Sequence, residues 1–190
     1  QYMGTAVSVK DDYRRQLDLE TGVSSVFCQG EDGVEESVFS SRTDNVNVIR
    51  LKAGKTGKID VTLGLEETPG RHGSHFEHNL DSAFTFVKSA AESGWLTYRA
   101  GYRQDPGGYE GLARVTLKGG SMKPEGSVLQ VEDADEVLIV VRITPLVDGK
   151  VSEEKEVRQE LSGLPADYGK LLHSHQKAHG EMFRRMQLDL

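Results

Sequence analysis

The sequence predicts an antiparallel β-sandwich followed by a C-terminal helical linker. Three observations carry this reading. Apolar and polar residues alternate along runs of strand length, glycine-rich clusters separate those runs, and a helical period appears only after Thr144.

In chain order, Ile59, Val61, Leu63 and Leu65 alternate with Asp60, Thr62 and Gly64, which gives a strand one apolar and one polar face. The same period runs through Leu96, Tyr98, Ala100 and Tyr102, and through Ala113, Val115 and Leu117. Val137 to Ile143 is apolar on both faces apart from Arg142, which predicts a strand covered on both sides at the centre of a sheet. Between the runs lie Gln29 to Gly33, Ala53 to Gly57, Asp105 to Gly108 and Lys118 to Gly120, where glycine supplies positive φ and aspartate bonds its own backbone. Strand and helix do not alternate, which disfavours a doubly wound sheet. Glu66 to Ser82 is polar, carries Pro69, Gly70 and Gly73, and is too long for an ordinary hairpin loop.

Past Thr144 the pattern changes. Glu153 to Leu161 reads as a short helix, and Leu164-Pro165-Ala166-Asp167 reads as the start of a longer one with proline in its first turn. Tyr168, Leu171, Leu172, His175, His179, Met182, Phe183 and Met186 then fall on one face of an α-helix. Such a stripe either folds back on the sandwich or is offered to another domain. We place the sandwich at residues 1–148, truncated at its N-terminal end, and the linker at 149–190, with Gln187 to Leu190 alternating like a new strand.

Composition narrows the function classes. At 190 residues the chain suits one well-buried domain with an appended element. A net charge of -7 with scattered lysine and arginine argues against nucleic acid as partner. No apolar run reaches the roughly 20 residues of a membrane-spanning helix, so no membrane partner is expected. The single cysteine, Cys28, rules out an internal disulfide framework and reads as a small buried strand residue.

Side chains capable of chemistry have simpler readings. His72, His75 and His78 share the long loop with Glu77, but their spacing fits no established zinc motif. His173, His175 and His179 lie on the second helix. His175 and His179 have zinc-protease spacing, yet Gln176 stands where such a site needs glutamate, so packing with a hydrogen bond is expected there. We therefore expect no metal site, no cofactor and no catalytic residue. With 30 aspartates and glutamates, some acid–base pair is inevitable and none stands out. Aromatic rings stack on the C–H face of a pyranose. Core packing is the expected role of Tyr98 and Tyr102, whereas Trp95, on the opposite strand face with Thr97 and Arg99, and Tyr109, in a glycine-rich loop, are the candidate carbohydrate contacts.

Tyr13-Arg14-Arg15-Gln16-Leu17-Asp18-Leu19 followed by Thr21-Gly22-Val23, then Val38 to Ser41 and Asp44 to Leu51, then Asp167 to Leu172 with His175, His179, Phe183, Arg185 and Leu188-Asp189-Leu190, form an ordered set. It resembles the N-terminal domain of family 95 glycoside hydrolases, the α-L-fucosidases, with Gln16 in place of the usual glutamate. The resemblance implies a super-sandwich fold and a downstream catalytic (α/α)6 barrel as partner, fucoside or galactoside hydrolysis by the parent protein, and a periplasmic or secreted location. It carries no catalytic residue onto this chain. The chain is thus expected to be a non-catalytic accessory domain that packs on the barrel and shapes its entrance. His175, His179, Met182 and Phe183 are the expected interdomain packing residues, and when the barrel is absent the same stripe is expected to fold back on the sandwich or to mediate self-association. An independent carbohydrate-binding module, with oligosaccharide as partner, is the alternative.

Overall fold

The computed structural model describes residues 13–28, 33–54, 58–66, 83–147 and 152–185. The loop histidines His72, His75 and His78, together with Met186 and the run Gln187 to Leu190, lie outside the described residues.

Among the described residues there are eleven strands: β1 (Tyr13–Asp18), β2 (Val23–Cys28), β3 (Val34–Ser41), β4 (Val46–Ala53), β5 (Ile59–Gly64), β6 (Phe84–Glu92), β7 (Trp95–Tyr102), β8 (Gly108–Lys118), β9 (Ser121–Glu125), β10 (Val128–Ala134) and β11 (Glu136–Leu146). Two helices follow, α1 (Glu154–Gly163) and α2 (Tyr168–Phe183). The strands form an eight-stranded sheet in the order β1-β2-β3-β4-β11-β8-β7-β6 and a three-stranded sheet in the order β5-β10-β9, antiparallel throughout.

The two-faced apolar strand explains the layering. In β11, Val137, Ile139 and Val141 face the small sheet, where they pack with Leu129, Val131, Ile59 and Leu63. Leu138 and Val140 face the other way, onto Val157 and Leu161 of α1 and Tyr168 and Leu171 of α2. The large sheet is therefore the middle of three layers. Its expected central strand sits between β4 and β8 and is paired on both edges. Fully burying a side chain of this size stabilises the fold by about 1.5–3 kcal/mol, so the outer helices contribute a second core. The helix stripe folds back on the sandwich.

Arg142, the polar exception in that strand, lies on the helix side and pairs with Glu160 of α1. Arg114 of β8 emerges beneath the connector between the helices and donates to the carbonyls of Leu164 (3.0 Å) and Pro165 (3.2 Å). Helix α2 begins later than the sequence suggests. Asp167 is its N-cap, accepting the Lys170 amide at 2.9 Å, and Pro165 belongs to the connector rather than the first turn. The side-chain cap determines the start, because it satisfies an amide that proline, two residues earlier, cannot reach. Cys28 ends β2 as a half-buried free thiol.

Candidate functional site

Among the described residues, two places gather polar or aromatic side chains. The first is a cleft of about 610 Å³ between the first turn of α1 and the helix-side face of β6, β7, β8 and β11. Direct strand partners put Lys88, Arg99, Glu110 and Thr144 in one row across those four strands. Glu110 is buried, and both of its oxygens are engaged. Oε2 accepts the Ser152 hydroxyl at 2.8 Å and Oε1 accepts the Glu153 amide at 2.7 Å, so this carboxylate caps the positive end of α1 from outside the helix. Arg99, its neighbour on β7, keeps a buried Nε with no hydrogen-bond partner. Lys88 stands directly opposite Arg99, so two cations face each other across a strand pair. Next to them, Phe86 lies over Gly101, where an added Cβ would come within 2.5 Å of the ring. Only glycine admits so close an approach, and the ring in turn shields the glycine backbone.

The second place is on the opposite face, at the end of β6, β7 and β8. Tyr109 stacks on Tyr98 with ring centroids 5.4 Å apart, lies within 6.1 Å of Phe84 and Tyr102, and donates to the Tyr98 hydroxyl at 3.2 Å. Tyr98 is buried and Tyr102 is exposed.

The structure does not bring the two candidate sugar contacts together. Tyr109 pairs with Ala100, on the face of Leu96 and Tyr98, whereas Trp95 points to the helices. There the Arg158 guanidinium lies 4.7 Å above the Trp95 ring, so a sugar could stack on that side only by displacing it.

The helix histidines hold the fold together. His175 Nε2 donates to the Thr21 carbonyl and His179 Nε2 to the Leu19 carbonyl, each at 2.9 Å, and both carbonyls belong to the β1–β2 turn. His175 also stacks on Phe39 at 4.6 Å. Burial lowers its pKa, with the neighbouring His179 acting in the same direction and the Thr21 bond opposing. Asp18 organises the turn by accepting the amides of Glu20 (2.9 Å) and Thr21 (3.1 Å), and these bonds lower its pKa. Met182 and Phe183, the other two residues of the expected interdomain set, are exposed. Among the described residues no group of three His, Cys, Asp or Glu is placed to hold a metal ion. Nor is any described helix long and apolar enough to cross a membrane.

The family model described as the N-terminal domain of glycosyl hydrolase family 65 matches residues 3–145. The chain belongs to that family. Family 65 thus replaces family 95, and with it the α-L-fucosidase reading loses its support. The segments that carried the resemblance are structural in this fold. Val46 and Val48 fill the helix-side core, Asp167 caps α2, and His175 and His179 fasten a turn. Such residues describe a frame of sheet and helix and carry no information about a sugar. A solved structure described as "Putative kojibiose phosphorylase from human microbiome" shares the fold of this family 65 domain with a TM-score of 0.59 and 14% identity, covering 93% of this chain and 26% of that one. The chain therefore corresponds to about a quarter of that protein. No curated protein matches it.

Sequence patterning did not single out Phe86, Lys88, Arg99 or Glu110. Alternation shows which residues share a face within one strand. The row exists only through the register of four strands.

Proposed function

We propose that this family 65 N-terminal domain is a non-catalytic accessory domain of a longer carbohydrate-active enzyme, where it packs against a catalytic domain and shapes its entrance. One observation beyond family membership supports the reading. The last turn of α2 and the β1–β2 turn meet at His179, and around that junction Leu19, Met182 and Phe183 are 63%, 38% and 44% exposed. Three large apolar side chains at one corner, on elements fastened to each other by hydrogen bonds, suit a rigid docking surface. Glycoside cleavage, by water or by phosphate, belongs in this reading to the partner domain. The chain alone releases no sugar from an aryl glycoside.

The test places Met182→Glu with Phe183→Glu in a longer protein that carries the domain and in the chain alone. The expected result is lower activity and thermal stability for the longer protein and an unchanged melt for the chain. An unchanged longer protein would sink the proposal. A carbohydrate-binding role is the second reading, favoured by the ring cluster around Tyr109, with Tyr102 its exposed member.

A further inference from the structure

We propose that the cleft beside α1 binds an acidic sugar unit, a pyranose bearing a carboxylate or phosphate, with the oxyanion between Lys88 and Arg99 and the ring against Phe86. The inference begins with charge. Like charges directly opposite each other on paired strands are destabilising unless something neutralises them. Lys88 and Arg99 are such a pair. The adjacent carboxylate cannot relieve them fully, since both Glu110 oxygens already hold the start of α1. Of the other charged groups at the cleft, Glu154 is bonded to Arg158 at 3.0 Å and Arg142 to Glu160. Among the described residues, two cations therefore face a concave space whose carboxylates, Glu110 and Glu154, are engaged elsewhere. An oxyanion supplies at least two acceptors, which suit the planar donor fork of arginine and the mobile ammonium of lysine.

Size and lining make the ligand a sugar. About 610 Å³ falls within the range of small-molecule sites and exceeds the need of a bare inorganic ion. Hydroxyl-bearing Thr97, Thr144 and Ser152 line it; the Thr97 and Ser152 protons go to the Ala90 carbonyl and Glu110, which leaves their oxygens as acceptors, while Thr144 can both donate to and accept from sugar hydroxyls. Phe86, 40% exposed and backed by Gly101, is not part of the lining but adjoins the lining residues Val87 and Lys88 in β6, with the Lys88 ammonium 5.8 Å from its ring centroid. An apolar face, a pair of cations and a hydroxyl-lined wall are the three things that a charged pyranose requires of its site. The cleft is on the far side of the sheet from Tyr109 and does not depend on the docking corner.

The experiment uses the chain as it stands, titrated by calorimetry with methyl glucuronide, glucose 6-phosphate, inorganic phosphate and glucose. The two acidic sugars are expected to bind, at least about tenfold more tightly than phosphate or glucose. Lys88→Gln, at an exposed position, is expected to weaken both by about tenfold, as is Arg99→Gln, in line with the loss of one charge-assisted contact. Phe86→Ala should abolish the preference for acidic sugars over phosphate. Far-UV dichroism confirms that each variant is folded, and Lys88→Gln keeps the test decisive if Arg99→Gln is not. Absence of binding by either acidic sugar overturns the proposal. So does binding of phosphate as tight as that of the sugars, or sugar binding unchanged by Lys88→Gln.

Discussion

His175 Nε2 lies 2.9 Å from the carbonyl oxygen of Thr21, 154 positions earlier in the sequence. Together with the matching bond from His179 to Leu19, it fastens the first hairpin to the last helix. The hairpin carries the exposed edge strand β1, so its anchoring depends on this junction more than on burial.

Acid should loosen the junction. Burial holds the His175 pKa below the ordinary imidazole value of about 6.5. The unfolded chain therefore takes up a proton at a higher pH than the folded one. Stability is full above about pH 6.5 and falls as pH drops from there to the folded pKa, below which this contribution levels off. Asp18, with its lowered pKa, adds a further loss at more acidic pH, below the ordinary carboxylate range. Urea midpoints between pH 8 and pH 4.5 check the histidine part, and their continuation to about pH 2.5 checks the Asp18 part. His175→Gln, which keeps an N–H donor and cannot titrate, should flatten the upper part of the profile.

Gly22 is a steric weak point of the same turn. Its φ is +65°, and an added Cβ would come within 2.9 Å of His179 Cε1 and 3.1 Å of His175 Nε2. Gly22→Ala should destabilise the chain by about 1–3 kcal/mol. Limited proteolysis should then cut first within β1 and β2. An unchanged cleavage pattern would show that the turn is not fastened to α2.

Glu110 should be essential to the placement of α1. Glu110→Ala leaves the Glu153 amide and the Ser152 hydroxyl without their buried acceptor, at a cost of about 2–4 kcal/mol. Glu110→Gln keeps one carbonyl acceptor and should recover part of that. Chemical denaturation followed by helix dichroism distinguishes the two.

The helices should prove to be part of the folded unit. A chain ending at residue 147 would expose Phe39, Val48, Leu138 and Val140, which α1 and α2 now cover. It should aggregate or lose its cooperative unfolding transition. Leu171→Ala should cost about 2–5 kcal/mol, with sheet and helix signals lost in one transition. A stable, monomeric 1–147 fragment would instead make residues 149–190 the separable linker that the sequence suggested.

The exposed corner should drive self-association of the isolated chain. Light scattering is expected to show mass rising with concentration, and Met182→Glu with Phe183→Glu should abolish the rise. A strict monomer at all concentrations would count against a docking role for these residues.

The sandwich was legible in the sequence because strand alternation is a local property. Ile59 and Leu63 face inward and Asp60 and Thr62 outward, as their period requires, and Val137 to Val141 is central as its two apolar faces require. The histidine pair was expected to hydrogen-bond within an interdomain contact, whereas the partner carbonyls at Leu19 and Thr21 belong to the first turn of this same domain. The family was misread because the segments that carry the resemblance build the frame and hold no record of substrate.

By itself, the sequence determined the strands and the apolar stripe of α2. Only the tertiary structure decided that the stripe turns inward as far as His175 and outward at Met182 and Phe183. It also decided that Trp95 and Tyr109 occupy opposite faces, and that Lys88 meets Arg99. The physical reason is the range of the interactions. Alternation and capping act within a few residues, whereas a row across four strands depends on register. Register is set by the whole sheet, where a shift of one residue would turn every side chain to the other face.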